Sequence, residues 1–241
     1  MKLIVAGSTG FVGKEVIRQA LRYPTITSVV ALARRTITVP EDAGIDTSKL
    51  KCVVCDDFEN YSEDVKKELV GADACIWLVA ITPAKLNTMP FAEVEKICLD
   101  YTVKGIETMS PIASKPFRFI YVSGVNAERD QNKKPFLMGN YSLMRGKTES
   151  LVLEYAKESS GAVEACVAKP GLIDAPGHSN FVQGIMKSVL CAVVGLPRVE
   201  LNQIASTLIQ QAVTGIEKET LLNEDLVRIG SKVLEERGLS S

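Results

Sequence analysis

Two side chains in this sequence are suited to moving a proton on or off a small oxygenated molecule. Ser123 follows the apolar run Phe117–Val122, and Tyr141 opens the helical stretch after it. A phenol acts as general acid toward a carbonyl reduced by hydride when a nearby cation lowers its ordinary pKa of ~10. A serine hydroxyl polarises the same carbonyl. A strand-end serine and a helix-start tyrosine are also ordinary residues in ordinary places, so the pair gains meaning only beside a hydride carrier. The opening stretch, MKLIVAGSTGFVG, has the makings of a seat for one. Gly7, Gly10 and Gly13 fall at GxxGxxG spacing between the apolar run Leu3–Ala6 and an amphipathic helix expected over Lys14–Tyr23. Strand, glycine turn and helix in that order aim backbone N–H groups and the positive end of the helix dipole at one point, where a pyrophosphate can sit. The glycines serve the tight turn, close approach of the ligand and close helix–strand packing. The segment Gly7-Ser8-Thr9-Gly10-Phe11-Val12-Gly13 is therefore the expected dinucleotide cradle. A glycine turn without a ligand has the same spelling; the placement between strand and helix favours the dinucleotide.

These groups must be positioned by the elements around them. A second β-like run, Ser28–Ala33, ends at Arg34-Arg35. An NAD-preferring site carries an acid about 20 residues past the glycine loop, on the ribose 2′-hydroxyl. Two arginines stand there instead, and a guanidinium fork suits a 2′-phosphate, which favours NADP over NAD; a solvated basic pair is the plainer alternative. Lys51–Cys55 reads as a third strand, followed by Asp56-Asp57. One of these acids is placed to bind the adenine amino group, and a turn or helix cap is equally consistent. Asp73–Val79 is a fourth strand, its rim continuing as Ala80-Ile81-Thr82-Pro83, small enough to lie beneath a cofactor. Helices are expected over Ser62–Val70, Phe91–Met109 and Tyr141–Ser159. Strands are expected over Phe117–Val122 and Val163–Ala168, the latter stopped by Lys169-Pro170-Gly171 at the same rim. Alternating strands and helices, with strands apolar nearly throughout, indicate a doubly wound parallel α/β sheet.

The rest of the composition narrows the function. A chain of 241 residues suits one domain, with residues 172–241 as a small substrate-side cap. The formal charge of −1 leaves no electrostatic footprint for nucleic acid or an anionic membrane. No apolar run reaches about 18 residues, so no transmembrane helix is expected, and a cytoplasmic address is the default. The six cysteines lie mostly inside apolar runs, as reduced core residues would. Cys52 and Cys55 form a CxxC on a strand, where residues three apart face opposite ways, so no metal site is expected there. The single histidine, His178, lies in a loop before an apolar helix expected over Phe181–Val194. Further helices are expected over Asn202–Thr214, capped by Asn202, and over Asn223–Arg237.

Gly7, Gly10, Gly13, Arg34, Asp57, Ser123, Tyr141 and Pro170-Gly171 together resemble the short-chain dehydrogenase/reductase superfamily in its extended and atypical branches. The run Tyr141-Ser-Leu-Met-Arg145-Gly146-Lys147-Thr-Glu149 is similar to the active-site helix of the TIP30-like atypical group. The resemblance covers about the first 175 residues. It implies a Rossmann-type strand order 3-2-1-4-5-6-7, NADP binding that involves Arg34, Arg35, Asp57, Ala80 and Pro170, and homodimer formation through the long helices. It also implies a catalytic tyrosine with a lysine four residues on, binding the nicotinamide ribose and lowering the tyrosine pKa. Here that position is Arg145, which keeps the charge but is larger and planar. Lys147 lies about 120° around the helix and is no substitute. The expected function is NADP-dependent reduction of a small carbonyl, or oxidation of the alcohol, by Tyr141, Ser123 and Arg145. An NADP(H)-binding sensor with little turnover and an epimerase with bound NAD(P) are the alternatives.

Overall fold

The computed structural model describes residues 1–37, 45–136, 138–174 and 195–238. His178 and the helix expected over Phe181–Val194 lie outside the described residues.

Strand β1 (Lys2–Ala6) is apolar because both of its faces are covered. Leu3 and Val5 join one buried cluster, while Ile4 and Ala6 join another on the opposite side of the sheet. The same alternation divides Ile76 and Ile120 from Trp77, Phe119 and Tyr121, as expected where side chains point to opposite faces in turn. β2 (Ser28–Ala33), β3 (Leu50–Val54), β4 (Ala74–Trp77), β5 (Phe117–Val122) and β6 (Val163–Lys169) complete the parallel core. The seven-stranded sheet has the order β3-β2-β1-β4-β5-β6-β9, a Rossmann-type fold as the resemblance implied. Its seventh place is taken by β9 (Thr220–Leu222), which pairs parallel to β6. β7 (Leu172–Asp174) and β8 (Arg198–Glu200) form a separate two-stranded sheet.

On one face lie α1 (Phe11–Ala20), α6 (Leu201–Thr214) and α7 (Asn223–Glu236), whose Ile17, Ile204, Leu208 and Leu226 are in one cluster with Leu3 and Val5. Gln19 Nε2 donates to the Asn202 carbonyl (3.1 Å), and Ser206 Oγ donates to Gln19 Oε1 (2.7 Å), tying α1 to α6 across most of the chain. In its described part, then, the segment expected as a cap over 172–241 supplies a sheet strand and one helical layer. Asn202 is not the cap of α6. The helix starts one residue earlier, with Glu200 and Gln203 forming a reciprocal capping box.

On the other face lie α2 (Glu63–Leu69), α4 (Tyr101–Met109) and α5 (Gly139–Glu158). Ser62 caps α2, its Oγ accepting from Val65 N at 3.2 Å. Gly105 of α4 has room for no side chain, because the Trp77 indole lies where its Cβ would stand. The helix expected over Phe91–Met109 is not uniform: α3 (Phe91–Glu95) passes into a π-helical turn, Lys96–Asp100, before α4. That turn buries Ile97, Cys98 and Leu99 together. Of the cysteines, Cys55, Cys75, Cys98 and Cys166 are buried as expected. Cys52 is exposed, because β3 is the edge strand and that side of it is uncovered.

Candidate active site

The glycine loop leaves β1 at Gly7, whose backbone is left-handed (φ +82°). A Cβ there would stand 2.9 Å from the backbone carbon of Leu78, where the chain leaves β4. At Gly13 it would stand 2.6 Å from the Gly7 carbonyl oxygen, so the first turn of α1 and the loop touch backbone to backbone. Gly10 N donates to the Gly7 carbonyl at 2.9 Å, closing the turn. Thr9, Gly10 and Phe11 are exposed, Val12 is half-buried, and the first turn of α1 carries no acid. Ser8 is fully buried, and its Oγ has no hydrogen-bond partner among the described residues. A cradle bounded by backbone, with no acid in the first turn of its helix and holding a hydroxyl without a partner among the described residues, fits a dinucleotide's pyrophosphate.

Arg34 and Arg35 follow β2 directly and are exposed. Asp57 is engaged locally: Oδ1 accepts from Glu59 N (3.0 Å) and Oδ2 from Asn60 Nδ2 (2.7 Å). Those hydrogen bonds hold its carboxyl below the usual range. Of the two readings open for this residue, the turn is therefore present. Ala80 is half-buried on the rim after β4, and Pro170 is buried, its carbonyl accepting from Val125 N at 2.9 Å.

Ser123 and Tyr141 flank adjacent strand ends. Ser123 continues β5, its N donating to Ala168 O (2.8 Å), and its buried Oγ has no partner among the described residues. Tyr141, in the first turn of α5, donates its hydroxyl to the Ile81 carbonyl at 2.8 Å, on the rim of β4. Burial raises the Tyr141 pKa; the Arg145 charge opposes this and Cys98 adds to it. Arg145 does lie on the Tyr141 side of α5, but its guanidinium points inward. It is 3% exposed, Nη2 donates to the Val122 carbonyl at 2.7 Å, and Cζ lies 5.1 Å from the Tyr121 ring centroid. Lys147 is exposed.

A second group of charges fixes the segment between Ser123 and Tyr141. Glu149 of α5 is fully buried and pairs with Arg129 (2.7 Å) and Lys169 (3.0 Å). Lys169 Nζ also donates to the Ala127 carbonyl (2.8 Å), and Arg129 Nη2 to Thr220 Oγ1 (2.9 Å). Gly146 lets the Glu128 backbone lie directly on α5, where a Cβ would overlap it. The role of Glu149 is legible only in the fold, although it stands within the helix motif that carries the resemblance.

A family model described as NAD(P)H-binding matches residues 7–182. Protein FMP52, mitochondrial, of Candida albicans is 23% identical over 97% of this chain and 100% of its own length. The reductase domain of PhqB from Penicillium fellutanum superposes with a TM-score of 0.70 at 15% identity, covering 93% of this chain and 67% of that one. The dTDP-glucose 4,6-dehydratase DesIV of Streptomyces venezuelae, solved with NAD bound, gives 0.64 at 16% identity, covering 100% and 82%. With the glycine cradle, the sheet order and a match across residues 7–182, the chain belongs to the NAD(P)H-binding family and has the fold of the extended short-chain dehydrogenase/reductases.

Proposed function

We propose that this protein is an NADP-dependent oxidoreductase of the atypical short-chain type, acting on a small carbonyl or the corresponding alcohol. The reading rests on the buried Ser123 hydroxyl at the end of β5, without a partner among the described residues, and on the Tyr141 hydroxyl, held on the segment that continues neighbouring β4. The amides of Gly7–Gly13 bind the pyrophosphate, and Arg34 with Arg35 binds the 2′-phosphate. When bound, the nicotinamide supplies the hydride. Ser123 Oγ donates to the substrate oxygen and polarises it. Tyr141 exchanges its hydrogen bond to Ile81 for one to that oxygen and delivers the proton. Arg145, committed to the Val122 carbonyl, acts on Tyr141 through its charge; of the two tasks of the family's lysine, this is the one its geometry suits. The substrate is a small molecule reached from the rim, the protein works in the cytoplasm and pairs through its long helices as a homodimer. The motif of α5 supports kinship with the TIP30-like group.

NADPH consumption over a panel of aldehydes, ketones and quinones tests the reading. Tyr141→Phe is expected to lower kcat by about 10²–10⁴-fold with NADPH affinity retained. Turnover that survives in Tyr141→Phe would remove the tyrosine from the mechanism. The inward Arg145 favours a second reading, a cofactor sensor without turnover. Wild type that binds NADPH but oxidises none of it, with no gain in Arg145→Lys, would put that reading first.

A further inference from the structure

Arg145 is a buried cation with no carboxylate partner among the described residues. Glu149, one turn further along α5, is already held between Arg129 and Lys169. Two consecutive residues of β5 receive the guanidinium instead. The Val122 carbonyl accepts from Nη2 at 2.7 Å, and the Tyr121 ring lies beneath Cζ, its centroid 5.1 Å away. Nη1 has no hydrogen-bond partner among the described residues. One hydrogen bond to a neutral carbonyl leaves most of a buried charge uncompensated, which is strongly unfavourable in a protein interior. A guanidinium within about 6 Å of an aromatic centroid is attracted by the negative face of the ring, and more strongly where water is excluded. The Tyr121 hydroxyl has no partner among the described residues, so this residue meets Arg145 through its ring alone. The ring is a fixed surface. Tyr121 is fully buried on a central strand, between Trp77 of β4 and Val167 of β6, and shares a buried cluster with Trp77, Phe119 and Val152 of α5. Val122 sends its side chain to the opposite face of the sheet.

We propose that Tyr121 is a positioning residue whose ring face holds the Arg145 guanidinium inward, as a fixed charge behind Tyr141 and not as a ligand of the cofactor's ribose. The aromatic residue on β5 thus decides what an arginine at this place in α5 can do. Held there, the charge favours the Tyr141 phenolate and works against the burial that keeps the phenol protonated. The other titratable group facing both Arg145 and Tyr141 is Cys98, from the π-helical turn. With the ring replaced by an aliphatic side chain, the guanidinium loses its shelf, its charge is screened by water, and Tyr141 holds its proton to higher pH. The catalytic consequence rests on the reading of Tyr141 as the proton-transfer group, but the stacking itself does not.

Nuclear magnetic resonance of nitrogen-15-labelled arginine side chains in the apo protein tests the stacking without turnover, the Arg145 signal being identified by its loss in Arg145→Lys. In wild type its guanidinium protons should lie upfield of those of free arginine and exchange with water about tenfold more slowly, or slower still. Tyr121→Phe, which keeps the ring face and removes the hydroxyl, should retain both features, and Tyr121→Leu should lose both. A wild-type signal that coincides with free arginine, or one that Tyr121→Leu leaves unchanged, would overturn the proposal. Should Tyr121→Leu fail to fold, Tyr121→Phe decides instead: loss of the upfield shift there would show that the ring is not what holds Arg145. The readout that packing alone would not move is the Tyr141 component of the tyrosinate titration, identified by its loss on adding Tyr141→Phe. It should stand at the same pH in wild type and Tyr121→Phe and about one unit higher in Tyr121→Leu, tenfold in the proton equilibrium. A component at the same or lower pH in Tyr121→Leu would overturn the positioning role. If Tyr141→Phe proves fully active, the function assigned to the site falls while the arginine spectra still decide the stacking.

Discussion

The two ends of this site are built from different materials. The cofactor end is backbone: Gly7 and Gly13 leave no room for a Cβ, and loop, strand exit and helix meet main chain to main chain. The end proposed to transfer a proton is side chain: Tyr141 leans on Ile81, Arg145 on Val122 and Tyr121, and Glu149 gathers Arg129 and Lys169. A backbone cradle tolerates changes in what surrounds it, so long as its glycines stay. A side-chain assembly holds only as a set, because Tyr141, Arg145 and Glu149 each depend on a partner from another part of the chain.

The sharpest way to break that contrast is Glu149→Ala. Removing the buried carboxylate leaves two cations facing each other and is expected to cost about 3 kcal/mol, read as a lower denaturant midpoint with an unchanged slope. A loss below roughly 1 kcal/mol, the range of exposed ion pairs, would mean that the charges do not act together. Gly13→Val should cost about 1–3 kcal/mol through overpacking against the Gly7 carbonyl. It should also weaken NADPH binding tenfold or more in a fluorescence titration; unchanged affinity would show that the cradle is not the pyrophosphate site. The mildest change is Arg34→Ala, expected to weaken NADPH about tenfold, the equivalent of one charge-assisted hydrogen bond, and to leave NADH alone. Equal effects on the two cofactors would remove the 2′-phosphate assignment.

The same contrast explains what could be read from the sequence. Apart from the edge strand β3, the strands of the parallel core are spelled by apolar runs covered on both faces, and the glycine loop by three residues whose spacing is itself the geometry. β7, β8 and β9 are three-residue strands without a measurable period, and their partners lie far away in the chain. The cap of α6 was misplaced by two residues, from Glu200 to Asn202, because both can accept a backbone hydrogen bond and only the fold shows where the helix begins. Tyr141 and Arg145 share a helical side in any projection. Whether so long a side chain reaches outward to a ribose or inward to Val122 depends on what β5 and the π-helical turn leave open.

The Gln19 links to Asn202 and Ser206 have a bearing on how the protein comes into being. The apolar face shared by Leu3, Val5 and Ile17 is closed by Ile204, Leu208 and Leu226, which are synthesised after the residues matched by the family model. A nascent chain that has just completed the residues matched by the family model already contains the glycine loop, yet α6 and α7, which lie beside α1 on one side of its central sheet, are still missing. The apolar face that they close invites association with other chains until α6 arrives. The smallest unit that can carry the cofactor stably is thus longer than the segment that identifies it, and its first helix is finished by helices that lie beyond that segment.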